Sequence, residues 1–331
     1  MSLDGQRVFI TGATGFIGGA LALRLAAEGA RVTALARNPS SGGALREAGV
    51  AVVEGDLSDP DRLRALIAGA EVVYHLAAAA GTAPNAEMVQ INVWGTRHLI
   101  AAARAAGVAR FVHVSTVAVY GYRRRGVVDE TARLHPTGDM YADTKAIGEE
   151  LARGDDLPVV IVRPAQVYGP RSGAWTLRML NLTRYVVPLV DGGRGACHPI
   201  YIDDLIDLLA LAGVHADAPG QVFNGSPDPA PTWGDFLRAY GRMQGHERVL
   251  ALPRALLYPP AAALEAALRV TDRRLPLRAM VDFLTAQVTY SNRKAREVLG
   301  WTPRVGLAEG MRRTEAWLRT NGHLPRRAAG G

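Results

Sequence analysis

Cysteine is almost absent from this chain, which carries Cys197 alone among its 331 residues. One cysteine cannot form a disulfide within the chain, so nothing in the sequence indicates an oxidising compartment. No N-terminal segment joins positive residues to an apolar core and a cleavage site. No uninterrupted run of about 18 apolar residues, the length expected of a membrane span, occurs either. We therefore expect a cytoplasmic protein without a membrane span.

Lysine is also scarce, since only Lys145 and Lys294 are lysines among 38 basic residues. The net charge of +7 comes from arginines that are scattered along the chain and not interleaved with aromatic residues in one stripe. This distribution is typical of a solvated positive surface that mildly favours anions, and it predicts no nucleic-acid partner. His98 and His113 have no metal-ligand partners at a useful spacing, so we expect no metal site.

A glycine-rich turn follows an apolar strand close to the N-terminus. Val8 to Ile10 reads as a buried strand, glycines stand at positions 12, 15 and 18, and a helix is predicted to begin near Phe16 and to end at Gly29. Such a turn lets the backbone approach a pyrophosphate closely, and the helix N-terminus presents free N–H groups to that anion. Three spaced glycines also arise by chance, but the strand and helix around them are the context that the pattern requires. The turn therefore predicts a dinucleotide site.

Strands alternate with helices along the following residues. Strands are predicted at 31–35, 51–54, 71–75, 111–114 and 158–162, and helices at 43–48, 60–67, 87–106 and 141–151. This alternation implies a parallel sheet that is covered on both faces, with ligands beyond the carboxyl ends of the strands. We predict an α/β fold with a doubly wound parallel sheet of the Rossmann kind.

The residue that follows the second strand indicates which nucleotide is bound. A carboxylate there binds the 2′-hydroxyl of NAD, whereas an arginine accommodates the 2′-phosphate of NADP. The chain reads Ala36-Arg37-Asn38 and has no acid at this place. Because the guanidinium fork suits phosphate, the sequence favours NADP with Arg37 as a ligand. NAD is the alternative, in which case Arg37 is an exposed loop charge.

Tyr141 and Lys145 stand four residues apart at the start of a predicted helix. Positions i and i+4 share a helix face, so the phenol and the ammonium can lie side by side. A neighbouring positive charge favours the phenolate, so we expect the pKa of Tyr141 to fall from about 10 toward neutrality and to suit acid–base work. The spacing also occurs by accident. However, a lysine in a chain that otherwise uses arginine suggests a compact ammonium that a guanidinium would not replace.

The motifs together resemble the extended short-chain dehydrogenase/reductases, of the NAD(P)-dependent epimerase/dehydratase type, over nearly the whole chain. They are Thr-Gly-Ala-Thr-Gly-Phe-Ile-Gly at 11–18, Gly-Asp-Leu at 55–57, Asn92, Val-Ser-Thr-Val-Ala-Val-Tyr-Gly at 114–121, Tyr-x-x-x-Lys at 141–145 and Arg-Pro-Ala-Gln-Val-Tyr-Gly-Pro at 163–170. The resemblance implies that Tyr141 exchanges a proton with the substrate, that Lys145 binds the nicotinamide ribose and tunes Tyr141, and that Thr116 or Ser115 assists. The cofactor-binding residues that it implies are Gly12, Thr14, Gly15, Phe16, Ile17, Gly18, Arg37, Asp56, Leu57, Ala77, Ala78, Asn92, Tyr141, Lys145, Pro164 and Val167.

The resemblance also implies a domain division. Residues 1–170 would form the dinucleotide-binding domain, to which segments at about 196–225 return. Residues 171–195 and 226–320 would form a smaller, mostly helical substrate-binding domain, and 321–331 a flexible tail. The apolar stretch Ala255 to Leu268 either walls a hydrophobic substrate pocket or simply packs on this domain. The family habit is a homodimer through helices 87–106 and 141–153.

Two activities compete within the resemblance. The first is an NADP-dependent reductase or dehydrogenase for a ketone, aldehyde or secondary alcohol, like the 3β-hydroxysteroid dehydrogenase and dihydroflavonol reductase branch. The tail segments at 274–277 and 299–303 look like that branch. The second is a nucleotide-sugar epimerase that uses tightly held NAD. Many such enzymes place an arginine where this chain reads Ala196-Cys197-His198, although Arg194 or Arg171 can substitute.

We favour the reductase, which would act on a small molecule. A 4,6-dehydratase is not expected, because Val117-Ala118 stands where its Asp-Glu pair would be. A third hypothesis is a cofactor-binding regulator without turnover. It is disfavoured because the chain keeps both Tyr141 and Lys145.

Overall fold

The computed structural model describes residues 3–122, 124–268 and 277–325. The tail segment at 274–276 and the predicted flexible residues 326–331 lie outside this part of the chain.

The strands are short, and all of their pairings are parallel. In chain order they are β1 (Arg7–Thr11), β2 (Arg31–Ala36), β3 (Ala51–Glu54), β4 (Val72–His75), β5 (Arg110–Val114), β6 (Gly126–Val128), β7 (Val159–Pro164), β8 (Gln166–Tyr168), β9 (Val187–Val190), β10 (Pro199–Tyr201), β11 (Val222–Gly225), β12 (Val249–Leu252) and β13 (Val288–Tyr290).

The helices fall between these strands through the first half of the chain and dominate the second half. They are α1 (Phe16–Ala27), α2 (Gly43–Glu47), α3 (Pro60–Ile67), α4 (Asn85–Val89), α5 (Thr96–Ala105), α6 (Met140–Arg153), α7 (Arg178–Leu182), α8 (Ile202–Val214), α9 (Trp233–Met243), α10 (Arg254–Leu268), α11 (Leu277–Thr285), α12 (Arg293–Leu299) and α13 (Leu307–Thr320). No helix of the described residues is long and apolar enough to cross a membrane.

Seven parallel strands form the central sheet in the order β11-β7-β5-β4-β1-β2-β3. The chain moves outward from β1 through β2 to β3, and then returns to the other side of β1 to begin again at β4. The order therefore reverses between β1 and β4, and a ligand crevice is expected at such a switch point. The predicted doubly wound parallel sheet is confirmed.

Alternate side chains of the strands bury both faces of this sheet. Val8 and Ile10 of β1 belong to the core that includes Leu21 of α1 and Leu205 of α8. Phe9, between them, faces the opposite core, which contains the apolar residues of α3 and α5. Because successive strand side chains point to opposite faces, an apolar run such as Val8 to Ile10 is what a sheet with helices on both sides requires.

The helix predicted at 87–106 is interrupted. It begins as α4, continues as a π-helical turn over Gln90–Gly95, and ends as α5. Gly95 is needed where this turn crosses Leu57, since a Cβ there would lie 2.9 Å from the Leu57 Cβ. The wider turn places Asn92 in the interior, where it is 1% exposed. Single π-helical turns inside α-helices are frequent at functional sites.

Three small parallel strand pairs connect distant parts of the chain: β8 with β10, β9 with β12, and β6 with β13. The last of these joins residues 126–128 to residues 288–290. On α10, which contains the apolar stretch Ala255 to Leu268, the buried residue is Ala261. The helix packs against α11, while Leu256 and Leu264 are exposed to solvent.

Candidate functional site

A cleft of 930 Å³ lies beyond the carboxyl ends of the central strands. It brings the glycine turn after β1 together with the Tyr141 and Lys145 side chains of α6. The sequence-predicted residues that line it are Gly12, Gly15, Phe16, Ile17, Gly18, Ala78, Ser115, Thr116, Tyr141, Lys145, Pro164 and Val167. Those that lie outside its lining are Thr14, Arg37, Asp56, Leu57, Ala77 and Asn92. The two motifs that carry the functional hypothesis therefore meet in one space.

The glycine turn packs too closely for side chains. Gly12 has a φ of 73°, and a Cβ there would lie 2.7 Å from the Ala77 backbone nitrogen. A Cβ on Gly18 would lie 2.3 Å from the Gly12 carbonyl oxygen. Gly15 caps α1 without a side-chain hydrogen bond, and the first turn of α1 contains no acid. The exposed helix N–H groups at the cleft suit an anion such as a pyrophosphate, so the residues present fit a dinucleotide.

Arg37 follows β2 outside the cleft and is exposed. Its Nη1 atom lies 3.9 Å from Glu87 Oε1. Burial raises the pKa of Asp56. Hydrogen bonds from Ser58 and the charge of Arg37 act in the opposite direction and outweigh burial, so the pKa is lowered overall. Arg37 and Asp56 therefore act on each other electrostatically at the edge of the sheet where β2 and β3 end. Leu57, next in the chain, is buried, and its carbonyl accepts a hydrogen bond from His98.

The expected depression of the Tyr141 pKa is wrong for this structure. Burial raises the pKa of the Tyr141 phenol to about 12, and the charge of Asp139 raises it further. A hydrogen-bonding interaction with the Thr116 side chain acts in the opposite direction. The sequence argument considered the ammonium four residues away and omitted desolvation, which disfavours the phenolate. Tyr141 is therefore a protonated group that is ready to donate.

Lys145 is 2% exposed. Burial lowers its pKa to about 8, while Glu149 on the next helical turn opposes the change. Two buried histidines lie near its ammonium group. Burial, with the Lys145 charge added, lowers the pKa of His75 to about 3 and that of His113 well below its usual value. Both rings are thus neutral neighbours of the lysine.

Thr116 and Ser115 follow β5, and both line the cleft. Thr116 caps the short helical turn Val117–Tyr120, since its Oγ1 accepts a hydrogen bond from the Ala118 N–H at 3.2 Å. Ser115 is 4% exposed, and its hydroxyl has no hydrogen-bond partner among the described residues. Thr116 is therefore the hydroxyl that interacts with Tyr141, and Ser115 has an unused hydroxyl beside it.

Asp139 and Tyr122 are cleft residues that the sequence reasoning missed. The Tyr122 hydroxyl donates a hydrogen bond to Asp139 Oδ2 at 2.6 Å. Asp139 Oδ1 accepts a hydrogen bond from the Tyr141 N–H at 3.0 Å and so caps α6. An aspartate just before a predicted helix is a readable capping signal. No pattern in the sequence indicates Tyr122.

Asn92 fixes the position of α6 and lies outside the cleft lining. Its Nδ2 group donates to the Ala79 carbonyl at 2.9 Å and to Thr144 Oγ1 at 3.0 Å, and its Oδ1 accepts from the Ala79 N–H at 2.8 Å. Thr144 precedes Lys145 in the chain. The amide of Asn92 thus ties the start of α6 to the segment after β4, which makes it a positioning residue in this structure.

A buried ion pair supports the other end of α6. Arg163 Nε and Nη2 donate to the two Glu149 carboxylate oxygens at 2.9 and 2.6 Å, and both side chains are fully buried. Arg163 Nη1 donates to the Tyr120 hydroxyl at 2.6 Å, which donates to Asn224 Oδ1 at 2.8 Å. This network joins α6 to β7, to β11 and to the segment after β5.

The part of the cleft beyond Tyr141 is mainly apolar and aromatic. Its lining residues there include Trp175, Met179, Leu182, Pro188, Leu189, Val190, Trp233, Leu237, Met280, Phe283, Leu284 and Tyr290. The same part of the lining contains one positively charged side chain, that of Arg178. Arg171 and Arg194, the suggested substitutes for a sugar-nucleotide arginine, are exposed residues outside the lining.

Comparisons with known proteins extend over nearly the whole chain. The NAD dependent epimerase/dehydratase family model matches residues 8–224. A 2-alkyl-3-oxoalkanoate reductase of Stenotrophomonas maltophilia is 32% identical, over 94% of this chain and 99% of its own. A 4-hydroxy-2-methyl-3-oxo-4-farnesyl-3,4-dihydroquinoline-1-oxide ketoreductase of Stigmatella aurantiaca is also 32% identical, over 92% and 95%. The structure of MoeE5 in complex with UDP-glucose and NAD gives a TM-score of 0.75 at 26% identity, over 95% and 99%.

Proposed function

The chain belongs to the NAD-dependent epimerase/dehydratase family, and from this premise we propose that it is an NADP-dependent reductase of ketones or aldehydes. In the reverse direction it would oxidise a secondary alcohol. The observation that carries the proposal is the cleft in which the glycine turn meets Thr116, Tyr141 and Lys145. The names of the two reductase relatives support a net redox reaction.

The glycine turn and the start of α1 would hold the pyrophosphate of the cofactor. Gly12, Gly15 and Gly18 allow the close approach, and the N–H groups of the first turn of α1 donate to the phosphate oxygens. Arg37, beyond the end of β2, would bind the 2′-phosphate that distinguishes NADP from NAD. When bound, NADPH supplies the hydride.

Tyr141 would be the acid in the reduction. As hydride adds to the carbonyl carbon, the C=O π pair moves onto the oxygen, and this oxygen takes the proton from the Tyr141 hydroxyl. The ketone would thereby be reduced to a secondary alcohol, with the proton from Tyr141 and the hydride from NADPH. Thr116 interacts with the same phenol and would orient it, with the Ser115 hydroxyl close by. The raised pKa of Tyr141 supports a donor role, because the phenol stays protonated at neutral pH.

Lys145 would stabilise the negative charge that develops on the Tyr141 oxygen and would bind the nicotinamide ribose. Its pKa of about 8 leaves it mostly protonated at neutral pH. A buried ammonium acts strongly because the surrounding dielectric is low. Asn92 and the Glu149–Arg163 pair support its helix from opposite ends.

The lining of the cleft favours a ketone on an apolar body over a nucleotide sugar. A sugar nucleotide needs cations for two phosphates, but beyond Tyr141 the described lining has Arg178 as its one cation, and Arg171 and Arg194 are not part of it. The epimerase is retained as the second candidate because of the likeness to MoeE5, which was solved with UDP-glucose and NAD. In that reaction one sugar carbon is oxidised and then reduced again, without net change of the cofactor.

One experiment separates the two candidates. The purified protein is incubated with NADPH and a panel of ketones and aldehydes, and with NAD and nucleotide sugars, while the NADPH absorbance and the sugar products are followed. Net loss of NADPH with a ketone supports the reductase. Isomerised sugar without net cofactor change would replace it by the epimerase, and cofactor binding without any turnover would indicate a regulator.

A further inference from the structure

The substrate part of the cleft has a continuous aromatic wall that begins beside the catalytic tyrosine. Tyr122 is hydrogen-bonded to Asp139, two residues before Tyr141. Its ring contacts Phe283 at 5.6 Å between centroids. Phe283 contacts Trp233 at 5.2 Å, and Trp233 contacts Trp175 at 6.0 Å. All four rings line the cleft. They form an elongated apolar surface that leads away from Tyr141, which suits a long chain or flat ring system.

The far end of this wall carries a cation. Arg178 begins α7, three residues after Trp175, and lines the same cleft. Leu182 and Met280, which also line it, are 49% and 53% exposed, so this end opens to solvent. Within the described lining the charged side chains are Asp139, Lys145 and Arg178. The first two belong to the catalytic end. No carboxylate of residues 3–122, 124–268 or 277–325 pairs with Arg178.

Trp233 lies in the middle of the aromatic wall, between Phe283 and Trp175. It is 3% exposed, and its indole N–H has no hydrogen-bond partner in the described part of the chain. Trp233 is the first residue of α9, directly after the helix cap Thr232. In this capping box the Thr232 hydroxyl accepts from the Asp235 N–H, and the Asp235 carboxylate accepts from the Thr232 N–H. Because the indole nitrogen is itself buried, Trp233 offers a ligand in the cleft its ring carbons and not its N–H.

We propose that the substrate is a ketone on an extended apolar chain that ends in a carboxylate, that is, a long-chain keto acid. This inference rests on the proposed reductase function and names the substrate class of the same site. The ketone lies at Tyr141, the apolar chain lies along the aromatic wall, and the carboxylate binds the Arg178 guanidinium. Arginine binds carboxylates in a two-pronged geometry, and charge-assisted hydrogen bonds of this kind are the stronger ones.

The first test compares straight-chain keto acids, with the ketone next to the methyl end, with their methyl esters. Arg178→Gln should lower kcat/KM for the acids by about 10- to 100-fold, the effect of a hydrogen bond to a charged group. It should leave the esters almost unchanged, because they carry no charge. Trp233→Phe keeps an aromatic ring in the wall, so it should change kcat/KM for the acids and for the esters by the same small factor. Arg184→Gln is the matched control, since this exposed arginine stacks on Tyr185 outside the cleft lining.

A binding measurement without turnover keeps this inference separate from the proposed function. Saturated fatty acids of the same lengths have no ketone, and their binding is measured by isothermal titration calorimetry in the wild type, Arg178→Gln and Arg184→Gln. We expect weaker binding in Arg178→Gln alone. Reduction of esters with no preference for acids, and no Arg178-dependent binding, would overturn the substrate class and leave the reductase standing. Arg178-dependent fatty-acid binding without NADPH consumption by any ketone would overturn the reductase and leave the binding class standing.

Discussion

Tyr122 and Asp139 are joined by a hydrogen bond of 2.6 Å between the phenol oxygen and carboxylate Oδ2. This contact holds a carboxylate in the cleft next to Tyr141, whose backbone N–H donates to the other carboxylate oxygen. The charge of Asp139 adds to burial in raising the pKa of Tyr141 to about 12. The pair therefore biases Tyr141 toward the protonated form, which a ketone reductase requires.

The substitution Asp139→Asn tests this electrostatic effect. Asparagine keeps an oxygen that can accept from the Tyr141 N–H, so the cap of α6 is retained. Removal of the negative charge favours the phenolate, so the pKa of Tyr141 should fall. The pH profile of kcat/KM for alcohol oxidation, which needs the phenolate, should then rise at lower pH than in the wild type. Tyr122→Phe leaves the charge in place and is the control. An unchanged profile in Asp139→Asn would refute the effect.

Tyr141→Phe removes the proposed acid and keeps the ring. We expect kcat to fall by about 100- to 10,000-fold, the usual contribution of general acid–base catalysis. The affinity for NADPH, measured by fluorescence titration, should change by no more than a few fold, because the glycine turn is untouched. Turnover at the wild-type rate would remove Tyr141 from the acid–base role.

Arg37→Asp should exchange the cofactor preference. An aspartate repels the 2′-phosphate and accepts hydrogen bonds from the 2′-hydroxyl of NADH, as acids do at this place. We expect the Kd of NADPH to rise by about 10- to 100-fold, as for a lost hydrogen bond to a charged group, and that of NADH to fall. Arg64→Asp, on α3 in an exposed ion pair with Asp61, controls for the general loss of positive charge. An unchanged ratio of the two affinities in Arg37→Asp would mean that Arg37 does not contact the phosphate.

Arg163→Met should destabilise the fold. The substitution removes the buried partner of the Glu149 carboxylate and leaves it with Arg153 alone, a half-exposed residue whose Nη2 donates to Glu149 Oε2 at 3.2 Å. Breaking a buried ion pair costs about 3–5 kcal/mol, and the remaining contact with Arg153 should keep the loss near the lower end. Urea unfolding followed by circular dichroism gives the loss in unfolding free energy. Adding Glu149→Met should recover much of that loss, because no charge is then left in the interior. A double variant that is no more stable than Arg163→Met would show that the hydrogen bonds to Tyr120, and not the charge, are what matters.

The predicted homodimer has a candidate surface. Trp94, in the π-helical turn, and Ile147, on α6, are each 43% exposed, and their helices pack against each other. If the chain dimerises through these helices, the two side chains would be covered by the partner. We expect the double variant Trp94→Glu with Ile147→Glu to be a monomer in size-exclusion chromatography with light scattering. Leu256→Glu, on exposed α10, should leave the wild-type mass unchanged. A wild-type monomer would contradict the dimer directly.

Local patterns allowed the elements of the sheet to be predicted closely. The strand at 51–54 and the helix at 60–67 are found with the predicted bounds, and Asp59 caps that helix through the Arg62 N–H. Such features depend on residues a few positions apart. The π-helical turn at 90–95 was not predicted, and its contacts with α6 are made by residues far apart along the chain.

The sequence alone determined the alternation of strands and helices, the glycine turn and the placing of Tyr141 and Lys145 on one helix face. Each of these follows from periodicity or from contacts within one or two helical turns. Only the tertiary structure decided that the Tyr141 pKa is raised and not lowered, since burial and the Asp139 charge depend on how whole segments pack. The aromatic wall was decided in the same way, because Tyr122, Trp175, Trp233 and Phe283 come from four separate segments that meet only when the chain is folded.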